Sequence, residues 1–437
     1  MNSKKMIAIL GVFLAGVVFS GIAYKNTKLP QKVTAYYENS GSRQIFAATG
    51  GAITEPTVKP ATGGVIIAPT ILPDHIVAPT IQPSQVPDDV KEGFVTTDKG
   101  LYYYKDGTAL KEKWLTVNEK TYYFRKNGTA ATGIYKINGV LYLFNKNASL
   151  AKNRWLTLDG KKYYAGENGQ AAIGYKTINE KGYYFESSGA MHTGFIDING
   201  KKYYFGKNGV KISGKKKIGR YMCYFRKTGA LYRKIDTKKK LVALTYDDGP
   251  SNHTNTILKV LDKYDSAATF FEVGNRIASY KSVVKKINSM GCEIGNHTYE
   301  HKILSGCSKA QIKKQIDQTN SALKKVIGKK TIITRPPGGS HNKTIDSIIN
   351  TPVILWSVDT LDWKNRNTAS VTNAVLKNVK DGDIVLMHDL YETTAEASKK
   401  IIPALVKRGY QLVTVSELSD CRKAMKNGGT YSSFPSK

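Results

Sequence analysis

Four patterns of apolar and polar positions follow one another along the chain, and each predicts a different kind of element. Residues 6–24 are uncharged, with Lys4 and Lys5 before them and Lys25 after. This length approaches the roughly 20 residues a helix needs to cross a bilayer. Gly21-Ile22-Ala23 offers a small-residue exit for cleavage. Residues 1–28 are therefore expected to be a signal peptide or a membrane anchor, with length favouring the anchor. Over 29–90 single aliphatic residues are scattered among threonines and eight of the 14 prolines. Closely spaced prolines favour extended, polyproline-like backbone, so this stretch reads as a linker.

The third pattern is an internal repeat over 91–235. Aromatic clusters such as Tyr122-Tyr123-Phe124, Tyr183-Tyr184-Phe185 and Tyr203-Tyr204-Phe205 recur in steps of 20 or 21 residues, about seven times. Turn pairs follow them, as at Asn127-Gly128 and Asn208-Gly209, and then a glycine with a hydrophobic residue, as at Gly174-Tyr175 and Gly194-Phe195. Short aromatic strands with Asn-Gly turns predict hairpins. A fixed short period means that each hairpin buries its face against the next, which predicts a β-hairpin solenoid.

In the fourth pattern, over 238–425, apolar runs (241–246, 268–273, 293–296, 331–334, 353–358, 384–387, 411–415) alternate with lysine-rich amphipathic stretches such as 257–264, 277–290 and 309–327. Strand–helix alternation predicts a parallel β/α architecture, either barrel or open sheet. Functional side chains in such folds gather at the C-terminal ends of the strands. Residues 426–437 read as a tail.

Charge changes the picture of partners. Lysine and arginine total 66 against 34 acidic residues, a net +32. That excess predicts attraction to a polyanion. An exported chain has little access to nucleic acid, which leaves anionic cell-wall polymers facing the basic surface, and the membrane at the N-terminal segment. The four cysteines form no CxxC pair and make no disulfide scaffold.

Five polar motifs close the apolar runs of the last segment. Asp247-Asp248-Gly249-Pro250 follows 241–246; alone it is a turn, but adjacent carboxylates in extended backbone diverge and can hold different tasks. His297 and His301 stand at i and i+4, a spacing that puts both on one helical face able to grip a cation. With Asp248 they make three protein ligands with open positions, the catalytic rather than structural zinc pattern. Arg335-Pro336-Pro337-Gly338-Gly339 is a rigid loop, Asp359-Thr360-Leu361-Asp362-Trp363 closes the run 353–358, and Leu386-Met387-His388 supplies a histidine suited to proton transfer.

In this order the five motifs resemble the polysaccharide deacetylase family, also called the NodB homology or carbohydrate esterase 4 family. Within it they are most similar to the peptidoglycan N-acetylglucosamine deacetylases of Gram-positive bacteria. The resemblance implies a distorted (β/α)7-type barrel. It assigns Asp248, His297 and His301 to a divalent metal, zinc before cobalt, nickel or manganese. It makes Asp247 the general base, oriented by Arg335, and His388 the acid for the leaving amine. Asp359 would tune His388, with Trp363 packed beside it and Leu386 lining the acetyl pocket. The family usually has tyrosine where this chain has Gly338, whose backbone N–H remains available to an oxyanion.

The repeats resemble the cell-wall and choline-binding repeats of Gram-positive surface proteins, best over residues 193–205. No tryptophan precedes any aromatic pair, and only Trp114 and Trp155 occur in the region. Glycan or anionic wall polymer is therefore expected in place of choline, at Trp114, Trp155, Tyr175 and Phe195. The expected protein is an extracellular, wall-associated N-deacetylase of peptidoglycan or another cell-wall glycan. The alternatives are an O-acetyl esterase on a polysaccharide and a non-enzymatic wall-binding protein.

Overall fold

The computed structural model describes residues 91–436 and, before them, the backbone of two antiparallel strands, Val33–Asn39 and Ser42–Ala48, in a separate compact unit. These strands occupy the proline-free interval between Pro30 and Pro56, where nothing prevents backbone pairing and the extended linker reading does not apply. The expected anchor or signal segment and the rest of the linker lie outside the described residues. No helix among the described residues is long and apolar enough to cross a membrane.

Seven antiparallel hairpins occupy 93–105, 113–124, 133–144, 154–165, 174–185, 194–205 and 214–225. Their reversals precede the aromatic strand. Asn138-Gly139 and Asp159-Gly160 have positive φ at both positions, as two-residue turns with the twist of paired strands require. The Asn-Gly pairs after the aromatics instead form connecting turns, as where Gly128 N–H donates to Arg125 C=O. Each connection reaches back to the hairpin preceding the one it leaves: Ala130 N–H donates to Leu101 C=O, Leu150 N–H to Thr121 C=O, Ala171 N–H to Leu141 C=O, and Met191 N–H to Lys162 C=O. Phe124, Phe144, Phe185 and Phe205 are fully buried between these layers, with alanines filling the narrow gaps.

The last hairpin gains a third strand, Leu231–Asp236, that leads into the β/α unit. Tyr224 packs with Leu241, Val415 and Leu418. Arg233 donates to Leu412 C=O at 2.5 Å and pairs with Glu417 at 3.3 Å. Lys215 pairs with Asp420 at 2.5 Å.

The β/α unit has strands β1 Lys240–Asp247, β2 Thr269–Glu272, β3 Glu293–Asn296, β4 Val353–Ile354, β5 Val358–Asp359, β6 Ile384–His388, β7 Tyr410–Leu412 and β8 Thr430–Tyr431. Its helices are α1 Thr254–Lys263, α2 Lys281–Ser289, α3 Lys309–Ile327, α4 Lys343–Ile349, α5 Asp362–Asn365, α6 Thr368–Asn378, α7 Glu392–Lys407 and α8 Val415–Cys421. Parallel pairing runs β3-β2-β1-β6-β5, and β7 pairs with the first half of β1. The run expected at 331–334 contributes only Thr334, which bridges Asn296 on one side and Val353 on the other. The run expected at 353–358 is divided into β4 and β5, because Leu355 N–H turns to Tyr431 C=O and Ser357 N–H to Ile384 C=O.

The alternation along β1 decides what faces inward. Val242, Leu244 and Tyr246 pack with Ile257, Leu261 and Ile401 of the helical layer. Leu241 and Ala243 pack with Phe271, Ile333, Ile354 and Phe434. With a side-chain period of two, Thr245 and Asp247 continue this second column toward the strand's C-terminal end.

The segment expected as a tail is part of the fold. Its strand β8 pairs with β4, Ser433 bridges Asp383, and Phe434 N–H donates to Gly382 C=O at 2.7 Å. Phe434 is 2% exposed. Gly382 makes this closure possible, since a Cβ there would lie 2.1 Å from Phe434 O. Replacing Phe434 with alanine should cost about 3–5 kcal/mol, the usual range for deleting a buried phenylalanine ring. A chemical-denaturation midpoint for the β/α unit equal to wild type would contradict this closure.

Candidate active site

Asp247 ends β1 and is held by Arg335, whose Nη1 lies 2.7 Å from Asp247 Oδ1 and 2.7 Å from Thr245 Oγ1. Arg335 is fully buried. Its Nε and Nη2 donate to Ile354 O (3.1 Å) and Leu355 O (2.9 Å), and its guanidinium lies 4.2 Å from the Phe271 ring centroid. Burial works to deprotonate the guanidinium, and the Asp247 carboxylate opposes this. A buried charge of this kind is stable only when paired and hydrogen-bonded, as here.

Asp248 diverges from its neighbour because it takes a left-handed conformation, φ +70. Its Oδ1 lies 3.2 Å from His297 Nε2 and 3.0 Å from His301 Nε2. The ligand atoms of Asp248, His297 and His301 all lie within 4.8 Å of one another. His297 Nδ1 lies 2.7 Å from Arg335 C=O, which fixes the tautomer leaving Nε2 free as a ligand. Asp248 Oδ1 is buried and lacks a conventional hydrogen-bond partner. An orphaned carboxylate oxygen facing two imidazole nitrogens fits a divalent cation of borderline softness. Burial raises the Asp248 carboxyl, but the two imidazoles outweigh it and hold it well below the usual range; Asp248 in turn raises His301.

The helical placement of the two histidines is corrected by the structure. His297 and His301 lie on a loop, with positive φ at Thr298 and His301. Helix formation is pre-empted because the amides go elsewhere. Asn296 Oδ1 accepts from Thr298 N–H, and Gln315 Oε1 on α3 accepts from both Tyr299 and Glu300 N–H. The loop reaches the same convergence by a different route.

His388 ends β6, parallel to β1 and in register with Asp247. Its carboxylate partner is Asp362, which corrects the expectation for Asp359. His388 Nδ1 lies 2.7 Å from Asp362 Oδ1, and His388 N–H donates to Asp362 Oδ2 at 2.7 Å. Thr394 Oγ1 also donates to Asp362 Oδ2. Asp359 is exposed and accepts from Leu361 N–H. The left-handed turn at Leu361 (φ +51) separates the two aspartates and delivers Asp362 inward at the start of α5. Burial disfavours the imidazolium of His388, but the Asp362 carboxylate outweighs it, and the imidazole is pushed up to about 9.

Gly338 has φ +62, and a Cβ there would lie 3.4 Å from Ile303 Cδ1, so its loop flanks the one that carries His301. Leu386 is buried on β6 and Trp363 is half exposed on α5. In the repeats, Trp114 lies 5.1 Å from both Tyr123 and Tyr142, and Trp155 lies 5.2 Å from Tyr164 and 5.0 Å from Tyr183. The other two expected ligand residues are placed differently. Tyr175 is 47% exposed, with Lys211 4.6 Å from the ring centroid and donating to its hydroxyl at 2.8 Å. Phe195 packs on Tyr204 at 4.8 Å with Lys234 near its outer face.

Sequence reasoning also passed over Asp389, buried next to His388. Asp389 accepts a short hydrogen bond from Thr254 Oγ1 and, through its C=O, one from Ser251 Oγ. It therefore ties the Asp248 loop to β6. Its position directly after the histidine was the available signal.

Asp248, His297 and His301 form a candidate metal site at the C-terminal ends of the strands of a β/α unit. Similarity to known proteins narrows the class to which such a unit belongs. The polysaccharide deacetylase family model matches residues 234–351, a choline-binding repeat model matches 112–155, and a putative cell wall binding repeat model matches 153–171, 173–191 and 193–211. A peptidoglycan-N-acetylglucosamine deacetylase of Bacillus cereus is 37% identical over 42% of this chain and 91% of its own length. The peptidoglycan-N-acetylmuramic acid deacetylase PdaC of Bacillus subtilis is 40% identical over 43% of this chain, and the match spans 41% of that relative's length. A solved structure of the latter aligns at a TM-score of 0.42 with 40% identity, covering 43% of this chain and 93% of the solved one. The chain belongs to the polysaccharide deacetylase family, and it spans less than half the length of the first curated relatives that it matches.

His388 should be cationic below a midpoint of about 9 and neutral above it. Asp362→Asn removes the anion that raises this midpoint, so the imidazole should then lose its proton at lower pH. Imidazole NMR titration reads the change directly; an unmoved or higher midpoint would refute the pairing.

Proposed function

We propose that this chain hydrolyses the N-acetyl group of N-acetylglucosamine, or of a related amino sugar, in peptidoglycan, with the repeats holding it on the wall. One juxtaposition carries the reading: the convergence of Asp248, His297 and His301 beside an Asp247 fixed by Arg335, in register with a His388 fixed by Asp362. Asp248, His297 and His301 would hold a divalent cation, zinc by ligand preference, which when bound supplies Lewis-acid polarisation of the amide and activation of water.

The chain's own residues divide the proton work. Asp247 accepts the proton of the attacking water, and Arg335 keeps its carboxylate aimed by a 2.7 Å ion pair. His388, cationic at neutral pH, gives its proton to the leaving nitrogen. Asp362 stabilises that imidazolium and fixes its orientation. Gly338 offers its N–H to the oxyanion, Leu386 receives the acetyl methyl, and Trp363 walls the sugar side. Relatives named for N-acetylmuramic acid and for N-acetylglucosamine support a peptidoglycan amino sugar as the substrate class.

The seven hairpins form a solenoid that binds wall glycan, and the exported chain sits at the surface of a Gram-positive-type cell through its N-terminal segment. Trp114 and Trp155, each in a cluster of aromatic rings, are the ligand-binding positions. Tyr175 and Phe195, with lysines against their faces, brace the array.

Asp248→Ala should lower acetate release from purified peptidoglycan by at least about a hundredfold, through loss of the cation and its activated water. Asp362→Ala should lose on the order of a hundredfold through its acid, whereas Asp359→Ala should stay within about twofold, as exposed substitutions usually do. Wild-type release in Asp248→Ala, or a larger loss at Asp359 than at Asp362, would sink the mechanism. In wall co-sedimentation, Trp114→Ala with Trp155→Ala should reduce retention more than Tyr175→Ala with Phe195→Ala; the reverse order would reject the assignment of the platforms.

A further inference from the structure

Charge is not spread evenly over the repeats. Residues 91–200 carry 16 lysines and arginines against 10 acidic residues, whereas residues 201–240 carry 15 against one, Asp236. The concentration begins at the sixth hairpin and continues through the seventh into the strand and link that follow it. Strand Gly214–Ile218 presents Lys215, Lys216 and Lys217 in succession, all exposed, and Arg226 and Lys227 stand exposed on the following turn. Lys215, Arg220 and Arg233 find carboxylates in Asp420, Asp236 and Glu417. Lys216, Lys217, Arg226 and Lys227 take part in no ion pair among the described residues. Lysines on an edge strand deter edge-to-edge pairing, but that does not account for Arg226 and Lys227 on the turn. Uncompensated like charge destabilises the compact state, so the cluster is favoured by what it meets outside.

We infer that the seventh hairpin and the turn after it form a binding surface for a phosphodiester polymer of the cell wall, separate from the aromatic platforms of the earlier hairpins. This rests on the proposed action at the wall and names a second partner there. Flexible, compact ammonium groups suit a flexible chain of phosphates. Single-stranded nucleic acid would need open aromatic faces for its bases, and here Tyr221 lies 3.9 Å beneath Lys234 and Tyr232 lies 5.1 Å from Arg226. The surface is also bolted to the β/α unit by Lys215–Asp420, Tyr224–Asp420 and Arg233–Glu417. Polymer bound there holds the active-site strands at a fixed distance from the wall.

The test titrates the full chain with polyglycerol phosphate at low and moderate salt. Wild-type affinity should fall by about tenfold or more between 50 and 200 mM salt, as released counterions dictate for polyanions. Reversing Lys216, Lys217, Arg226 and Lys227 to glutamate should weaken binding by about tenfold at low salt, and the glutamine version, which keeps the edge polar and uncharged, by less. A charge-matched control, Lys105, Lys126, Lys146 and Lys152 to glutamate, should change it less than about threefold if location rather than net charge decides. Equal losses in the two glutamate variants, no loss in the first, or tighter binding of single-stranded DNA of matched charge would each overturn the inference. Acetate release by wild type from a soluble N-acetylglucosamine oligomer is followed in parallel. Its absence would defeat the deacetylase reading and leave the binding result standing.

Discussion

The buried guanidinium of Arg335 is the contact on which the site depends. A fully buried cation is tolerated only where its donors are used, and Arg335 uses them on four oxygens from two parts of the ring: Thr245 and Asp247 of β1, and the carbonyls of Ile354 and Leu355. Its own carbonyl then accepts from His297 Nδ1. One residue therefore sets the aim of a carboxylate, fixes the tautomer of His297 and ties the end of β1 to the end of β4. Lysine could not replace it, because a point charge has no planar fork to span these acceptors.

The same economy appears at the junction with the repeats. Each hairpin closes only when its successor's connection returns to it, so the seventh would end with an unpaired face. Strand Leu231–Asp236 covers one edge, and the β/α unit covers Tyr224. Gln411 then locks the crossing, its Oε1 accepting from Asp236 N–H and its Nε2 donating to Asp236 C=O. The final hairpin thus serves as the cap of the array and as an extra layer of the hydrolase unit.

Periodicity made much of this legible. Steps of 20 or 21 residues gave seven hairpins, the amphipathic stretch 309–327 is α3, and the end of the apolar run 241–246 located Asp247 at the C-terminal end of β1. What escaped were features decided by backbone conformation and by distant partners. Left-handed residues at Asp248, Thr298, His301 and Leu361 redirect the chain where composition gave no warning. The i,i+4 histidine spacing looked helical, but Gln315, some 15 residues on, claims the amides that a helix would need. Choosing between Asp359 and Asp362 required knowing which one the Leu361 turn carries inward. The C-terminal segment has too short an apolar pattern to announce a strand, and its place depends on the missing side chain at Gly382.

The proposed hydrolysis asks for a base and an acid side by side, and each needs a partner that holds it in place. Here the surroundings are opposite. Asp247 faces a buried cation that cannot leave, and His388 faces the buried carboxylate of Asp362, whose oxygens are held by four donors: the His388 ring, the His388 backbone N–H, Thr394 Oγ1 and the Trp363 backbone N–H. The two strands that carry them, β1 and β6, are parallel and in register at these positions. Sheet geometry therefore sets their separation, while a residue of opposite charge stands behind each. A carboxylate and an imidazole that end neighbouring strands, each held by a partner of opposite charge, suit one site to hold a proton acceptor beside a proton donor, and in this chain that division is built into the pairing of two strands.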